Sequence, residues 1–460
     1  MNTRFRFPLL AFTAALLGAC AAPSLPPDSA APPAQYINAP STAPLTISTQ
    51  WWRGYHDPLL DRLVQRAMDD NLDVQIALAR IDAARALRQV SASAGSPNLD
   101  LGASAARQRT SAYQTGFSDA VIDEPVSLGV GASWELDLFG RIREGVRAAD
   151  AEMLASEEQA RAVRVALVGD VVQAYAQARG LEQRLAIVRQ SAQSQAETSQ
   201  LSEQLYAAGS SPQADVLRAR AQADSTAARV PALQLEWQRA VHRLSVLLAM
   251  PSAELYGQMQ QSPVSVREVA VQDAGTPADL LRQRPDVKAA EARLIAAYAR
   301  VGVAKAELMP RLSLSAAIGS LINGMSAANL ASSTFWLAGV NASAPLFDGG
   351  RRKAQVALRD AEAREALLAY RRTVLVAVAQ VESALAAAQR NAERQVLLAR
   401  SAEQAGSALE QIRRSWQAGE APLLDVLEAQ RSQLSAQSAL AMVRTAQWQN
   451  QALLVSALGG

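Results

Sequence analysis

The sequence predicts a mainly helical fold that is built twice and that also carries membrane-type β-strands. Three observations predict it: two very long helical tracts, two pairs of segments that alternate apolar with polar residues, and an internal repeat. Residues 206–217 return 210 positions later as residues 416–427, with Gly, Pro and Asp in the same places. Self-similarity at a fixed offset indicates two copies of one structural unit, so pseudo-symmetry is expected.

The first 19 residues predict a secretion signal peptide. Arg4 and Arg6 give it a positive start, and the apolar stretch that follows is too short to cross a bilayer as a helix. It ends before Cys20, the single cysteine of the 460 residues, in a context similar to a bacterial lipobox, where the thiol is lipidated. A chance cysteine after an ordinary signal peptide is the alternative. Ala21 stands where an Asp would mark retention in the inner membrane, so the sorting rule of such lipoproteins implies the outer membrane.

Residues 20–50 predict a lipid-anchored tether. They are rich in Pro, Ala and Ser, a composition that gives an extended and poorly packing chain. Trp51, Trp52 and Tyr55 follow it, and we interpret them as packing where the tether meets the folded body rather than as a ligand site.

Composition excludes several classes of function. The chain has 45 Lys and Arg against 43 Asp and Glu, and the signal peptide removes two of the basic residues, so the remaining charge is balanced. No basic field for nucleic acid is expected. Only His56 and His242 are present, so we expect neither a metal site nor a cofactor. No apolar run of about 20 residues follows the signal peptide, so a membrane-spanning part must consist of β-strands.

The first copy of the repeat covers residues 51–250. Apolar spacing predicts a helix over 57–94. Strict alternation over 126–138, with a shorter alternating run before it, predicts a β-hairpin over 98–138. A long helical hairpin follows over 141–248, whose first arm of roughly 100 Å reverses at a Gly and Pro turn.

Residues 251–275 predict a mixed linker, and the second copy covers residues 276–460. It repeats the plan with a helix, a β-hairpin over 311–346 and a long helical hairpin over 351–458. Gly and Pro again mark the reversal.

Alternation of apolar and polar residues is typical of transmembrane barrel strands around an aqueous lumen. Four strands cannot close a barrel, and open edges in lipid leave unpaired backbone groups. The barrel is therefore expected to form from several chains, and three chains supply twelve strands. Two alternatives stay open at this point: a long coiled-coil scaffold, and a small soluble sheet that packs its apolar face on a helix.

These features together resemble the TolC-like outer-membrane efflux channels, and more closely their NodT-type lipoprotein branch. The resemblance covers nearly the whole chain after the signal peptide, and its most specific segments are residues 137–141, 284–294, 303–307, 310–314, 345–351 and 456–460. It implies a homotrimer with a twelve-stranded β-barrel in the outer membrane, four strands per chain, continued by a periplasmic α-helical barrel with residues 251–275 in an equatorial region. It also implies partners, namely a periplasmic adaptor protein and an inner-membrane transporter, which with this exit duct form a tripartite pump.

The resemblance places a periplasmic gate just after the second turn. The matching residues are Leu424, Asp425, Glu428 and Arg431. A narrow ring of carboxylates favours cations. The alternative is that acidic residues in a first helical turn only stabilise the helix dipole. Some family members carry a basic residue in this turn, and Glu420 and Ala421 stand there instead, so the links that close the tip differ.

The two turns are also expected to contact the adaptor. They are marked by Gly209 and Pro212 and by Gly419 and Pro422. As an alternative, two helix-hairpin turns are sufficient to explain these Gly and Pro residues.

The sequence therefore predicts a passive outer-membrane efflux channel and not an enzyme. The alternative is a non-conducting coiled-coil adaptor or scaffold lipoprotein of the cell envelope. No phosphate loop or nucleophile motif supports catalysis.

Overall fold

The computed structural model describes residues 36–37, 50–111, 113, 120–262, 283–323 and 333–460. The predicted signal peptide, Cys20 and most of the tether lie outside the described residues.

Helices make up most of the described chain. After a short 3-10 helix at Trp51–Tyr55, their bounds are α1 (Pro58–Asp70), α2 (Leu72–Ser93), α3 (Arg141–Ala207), α4 (Gln213–Ala227), α5 (Arg229–Leu247), α6 (Ser252–Gln261), α7 (Pro285–Ala306), α8 (Arg351–Gln417) and α9 (Leu423–Leu458). Helices α3 and α8 each have 67 residues, which corresponds to about 100 Å. None of the described helices is long and apolar enough to cross a membrane.

The main sheet has four antiparallel strands in the order β1 (Asn98–Ala105), β4 (Pro125–Leu136), β5 (Arg311–Asn323) and β6 (Thr334–Ser343). The two predicted hairpins are thus joined through β4 and β5. A separate ribbon pairs β2 (Gln108–Thr110) with β3 (Val121–Asp123) in the first hairpin loop. Within the described residues, β1 and β6 are the edges of the main sheet.

One face of the sheet carries large apolar side chains that no other part of the described chain covers. Leu101, Val130, Ile318 and Trp336 are paired in succession across all four strands. They are exposed by 75%, 42%, 58% and 78% respectively. The register places the alternating apolar residues of β1 and β4, such as Leu101 and Val130, on one face. The other face carries small and polar residues on β1 and β4, whereas on β6 it carries Phe335, which pairs with Gly319.

Each long helix begins with an aspartate that caps it. The carboxylate of Asp137 accepts hydrogen bonds from the amides of Ile142 at 3.1 Å and Arg143 at 2.8 Å, at the start of α3. Asp348 does the same for the amide of Arg352 at 3.3 Å, at the start of α8. These caps satisfy amides that have no partner inside the helix, and they fix where strand becomes helix in both copies.

The chain divides into two compact units that do not coincide with the two sequence copies. Of the described residues, the sheet unit comprises those within 80–157 and 289–371, and it contains the main sheet and the helix segments next to it. The helical unit comprises the described residues within 31–79, 158–288 and 372–460. Each unit contains matching parts of both copies.

The helical unit has a large apolar core around buried aromatic residues. Trp51, Trp52 and Tyr55 lie in it, as the sequence indicated, and Tyr55 packs on Trp448 with ring centroids 5.0 Å apart. Tyr175 donates a hydrogen bond to the carboxylate of Asp57 at 2.6 Å. This network ties the first helices of the unit to its central helices.

The structure corrects two of the predicted helices and describes part of the predicted linker. The helix predicted over 57–94 is broken at Asn71, whose side-chain oxygen accepts from the amide of Val74 at 3.1 Å and so starts a new helix. The return helix is broken at Ala228 because Pro231 has no amide hydrogen and its ring crowds the carbonyl four residues earlier. Part of the predicted linker is the helix α6, and residues 263–275 lie outside the described residues.

Candidate functional site

The candidate site is the pair of helix reversals in the helical unit. Gly209 and Gly419 end the long helices with φ of +73° and +77°, a left-handed conformation in which a side chain is strained. Pro212 and Pro422 then start the return helices from extended conformations, with φ of −73° and −72°. The two turns therefore have one backbone geometry.

The hydrogen bonds of the turns are also the same. The amide of Ser210 donates to the carbonyl of Leu205 at 2.8 Å, and the amide of Glu420 donates to the carbonyl of Ser415 at 2.8 Å. Such bonds, which span five residues, satisfy the last carbonyls of a helix whose C′ residue is left-handed. The Gly and Pro of both turns are thus explained by backbone geometry alone.

The first turn of α9 divides into a buried and an exposed face. Buried positions 423, 426 and 427 belong to an apolar cluster with Ala219 and Leu409. The exposed positions are those of the predicted gate: Leu424, Asp425, Glu428 and Arg431. This spacing places all four on one helical stripe.

The charges on that stripe are only partly paired. Glu428 forms an ion pair with Arg431, and both side chains are more than half exposed, so the pair contributes little stability. Asp425 has no basic side chain within salt-bridge distance in the part of the chain that the structure describes. It also precedes Glu428 by three residues, where two like charges on a helix repel.

The first turn has a different charge pattern. Asp215, the counterpart of Asp425, lies 3.3 Å from Arg218, which occupies the position equivalent to Glu428. The acidic residue after the first turn is therefore neutralised by its own helix. Only the second turn carries two neighbouring carboxylates.

Beneath the second turn lies a buried polar contact that the sequence did not indicate. Gln430 is 2% exposed and donates to the hydroxyl of Thr198 at 2.9 Å. Gln222 donates to the carbonyl of Leu427 at 3.0 Å. These contacts join α3, α4 and α9 through polar side chains. A glutamine within a helix gives no sequence signal for such a role, because it is equally common on an exposed face.

The described residues contain no group of His, Cys, Asp and Glu side chains that could hold a metal ion. His242 contacts the hydroxyl of Tyr256 at 3.2 Å, in a pair that lies apart from both turns. The candidate site therefore consists of the two helix ends, the exposed carboxylates after the second turn and an exposed leucine.

An antiparallel sheet with an uncovered apolar row, joined to helices of about 100 Å, defines a class of protein: the outer-membrane channels. The model of the outer membrane efflux protein family matches residues 63–250 and again residues 276–460. The chain belongs to this family, which is a family of channels and not of enzymes, and it is an efflux channel of the outer membrane.

Curated relatives and solved structures agree with this assignment. The chain is 34% identical over 423 residues to Nodulation protein T of Rhizobium leguminosarum bv. viciae, covering 90% of this chain and 85% of the relative. It is 33% identical to Outer membrane protein OprJ of Pseudomonas aeruginosa, covering 90% and 88%. The structure of the outer-membrane channel OprN superposes with a TM-score of 0.87 at 35% identity, covering 96% and 99%. The predicted resemblance to the TolC-like, NodT-type family is confirmed, and channel membership favours the predicted duct over a non-conducting scaffold.

Proposed function

We propose that this chain is the exit duct of a tripartite efflux pump and works as a homotrimer. Three chains would close a twelve-stranded barrel from their four-stranded sheets, and the long helices would continue it as a periplasmic tube. The observation that carries the proposal is the apolar row across the sheet, because no other described residue covers this row and a lipid environment would suit it.

The two edge strands support the assembly from several chains. Their outer backbone groups have no partner within the described chain, and an open edge in lipid costs several kcal/mol for each unpaired group. Pairing of β1 with β6 of a neighbouring chain would satisfy these groups. A related outer-membrane protein is named as part of a toluene efflux pump, which supports partners of the adaptor and transporter classes.

The organisation along the chain is part of the proposal. Residues 1–19 act as a lipoprotein signal peptide, Cys20 is lipidated, and residues 20–50 tether the anchor to the folded body. Residues 51–250 and 276–460 are two copies of one unit, and residues 251–275 link them at the equator. The two ranges matched by the family model support the duplication.

We further infer that the exposed stripe on α9 forms the periplasmic gate. In a trimer, Asp425 and Glu428 would supply six carboxylates to one ring, with Leu424 as an apolar constriction and Arg431 as a partial counter-charge. Carboxylates crowded in a narrow pore favour cations and resist anions. Both turns, at Gly209 and Pro212 and at Gly419 and Pro422, would meet the adaptor.

The test of the channel and its gate is single-channel conductance in a planar bilayer. We expect a small, cation-preferring conductance from the unaltered protein. The Asp425→Ala/Glu428→Ala variant should conduct more or lose its cation preference, because the carboxylate ring is gone. Asp215→Ala is the matched control and should leave both properties unchanged, since Asp215 is already paired with Arg218.

Two results would contradict the proposal at different levels. Equal conductance and selectivity in the unaltered protein and the double variant would leave the channel but remove the gate role from both carboxylates. No conductance from any of the proteins would favour the scaffold. Deletion of residues 126–134 tests the barrel separately, because detergent-resistant, membrane-inserted trimers that survive it would refute the assignment of β4 to the membrane.

A further inference from the structure

A basic groove lies in the sheet unit, where four helices meet the main sheet. It has a volume of about 860 Å³ and is lined by the end of α2, the start of α3, the end of α7 and the start of α8. Each of these helices is connected to one strand of the sheet. The strand ends next to them, among them Leu136 opposite Leu312 and Arg311 opposite Ser343, lie at one end of the sheet. The groove is therefore located at that end.

The lining has a strong excess of positive charge in a chain whose overall charge is close to balanced. Five arginines face two glutamates: Arg80, Arg300, Arg351, Arg352 and Arg359 against Glu152 and Glu307. Most of the remaining lining residues are small or apolar. Walls of low polarity strengthen the field of charges that line a cleft.

Carboxylates hold three of the five arginines. The ion pairs join Arg300 to Glu152 at 2.7 Å, Arg352 to Asp348 at 3.1 Å and Arg359 to Glu362 at 2.7 Å. Arg80 and Arg351 have no carboxylate within 4 Å among the residues that the structure describes. Glu307, the other acid of the groove, lies 3.8 Å from Arg311 and is thus engaged elsewhere. Two guanidinium groups are left without a counter-charge in the same groove.

We propose that this groove binds a phosphate-bearing group, with Arg80 and Arg351 as its principal ligands. A guanidinium presents a planar fork of donors that matches phosphate, and it cannot lose its charge at any ordinary pH. Two unpaired guanidinium groups beside three paired ones give an anion both its contacts and a favourable surrounding potential.

Two sources can supply that chemistry. One is the headgroup of an anionic phospholipid, since basic clusters next to membrane-spanning segments bind such headgroups. The other is a soluble phosphate-bearing solute. The phosphate site rests on the groove alone, whereas lipid as its source rests on the proposed function, because it requires the sheet to lie in the bilayer.

The experiment measures binding of fluorescent phosphatidylglycerol to the full-length protein in neutral detergent, by anisotropy. Fluorescent diacylglycerol, which lacks the phosphate, is the probe control. The Arg80→Gln/Arg351→Gln variant is compared with Lys305→Gln/Lys353→Gln, which removes the same charge from exposed residues of α7 and α8 outside the groove.

We expect the arginine variant to bind phosphatidylglycerol about tenfold more weakly or worse, because two charge-assisted contacts are lost. The lysine variant should stay within about twofold, since exposed charges are screened by salt. Sodium chloride should weaken binding to the unaltered protein, and diacylglycerol should bind all three proteins alike. Displacement of the lipid by glycerol 3-phosphate would show that a soluble phosphate-bearing solute can be the ligand. If glycerol 3-phosphate does not displace the lipid, the ligand is the headgroup of an intact phospholipid.

Two results would overturn the proposal. The first is unchanged binding of both the lipid and glycerol 3-phosphate in the arginine variant. The second is an equally large loss of lipid affinity in the lysine variant, because it would indicate a diffuse effect of charge. If the glutamine variant does not form stable trimers, Arg80→Lys/Arg351→Lys keeps the charges, and binding should still fall because the planar forks are lost. Unchanged binding in that variant would also overturn it. Conductance of the same preparations distinguishes a failure of this proposal from a failure of the proposed function. If lipid binding depends on the arginines but the protein does not conduct, the phosphate site stands and the function as an exit duct is refuted.

Discussion

Gly180 of α3 packs against Thr445 of α9 in the helical unit, and we predict that Gly180→Ala destabilises the protein. A Cβ atom at this position would lie 2.1 Å from Oγ1, 2.6 Å from Cγ2 and 2.9 Å from Cβ of Thr445. The threonine cannot easily turn away. It is β-branched, and its hydroxyl donates to the carbonyl of Ala441 at 2.9 Å.

The size of the effect follows from two opposing terms. Replacing a glycine by alanine inside a helix normally stabilises it by about 1 kcal/mol. Forcing an extra carbon into a packed interface costs about 1–3 kcal/mol. Because the new atom overlaps three atoms of one stiff side chain, and the flanking Arg179 and Leu181 are buried, the cost should lie at the upper end. We therefore expect a net loss of about 2 kcal/mol.

The assay is thermal unfolding of the detergent-solubilised protein, followed by circular dichroism. Gly257→Ala in α6 is the matched control, because no heavy atom lies within 4 Å of its added Cβ, and it should raise the unfolding temperature. Gly169→Ala should lie between the two. Its new Cβ meets the Ser456 hydroxyl at 2.1 Å but the serine Cβ only at 3.3 Å, and that hydroxyl can rotate.

A Gly180→Ala variant as stable as Gly257→Ala would refute this reasoning, since it would mean that α3 and α9 are further apart or can move apart freely. Gly180→Ala/Thr445→Ser removes the Cγ2 overlap and lets the hydroxyl rotate. The loss of stability caused by Gly180→Ala should therefore be smaller when it is measured against Thr445→Ser than when it is measured against the unaltered protein.

Two further predictions concern the caps and the core. Asp137→Ala should lower the stability by about 1–2 kcal/mol because two amides at the start of α3 lose their acceptor, whereas Asp137→Asn should retain most of it, as thermal unfolding of both variants can show. Burial raises the pKa of the Tyr175 phenol above its ordinary value of about 10, so the folded state holds this proton more tightly. The contribution of Tyr175 to stability should be constant up to about pH 10 and fall above it. Tyr175→Phe should therefore reduce the loss of stability in unfolding experiments across alkaline pH, and an unchanged slope would contradict the assignment.

Much of the fold could be predicted because its elements are long and strictly periodic. Helices α3 and α8 begin at residues 141 and 351, where the two helical hairpins were predicted to begin, and each ends just before the glycine of its turn. The register of β1 on β4 agrees with the alternation, because a slip by one residue would move every apolar side chain to the other face.

The rest depended on contacts between distant segments. The break at Asn71 is stabilised by its side-chain amide, which donates to the carbonyl of Leu247 at 2.9 Å, a residue far away in the chain. The pairing of β4 with β5 joins two hairpins that are far apart in the sequence. The basic groove collects arginines from separate helices, and nothing in the spacing along any one helix indicates that they lie together. The spacing of residues within one segment does not predict contacts between segments that are far apart in the sequence.

The duplication separates what the fold requires from what function requires. Gly and Pro of the two turns persist in both copies, and the matching left-handed glycines show that one backbone geometry needs them, so their recurrence is not evidence for adaptor binding. The aspartate after each turn also recurs, but the charge three residues later does not: Arg218 pairs with Asp215 in the first copy, whereas Glu428 stands beside Asp425 in the second. Helix stability favours the first pattern, since the second places like charges one turn apart. A pattern that stability disfavours and only one copy carries is the stronger argument that the carboxylates after the second turn serve the pore.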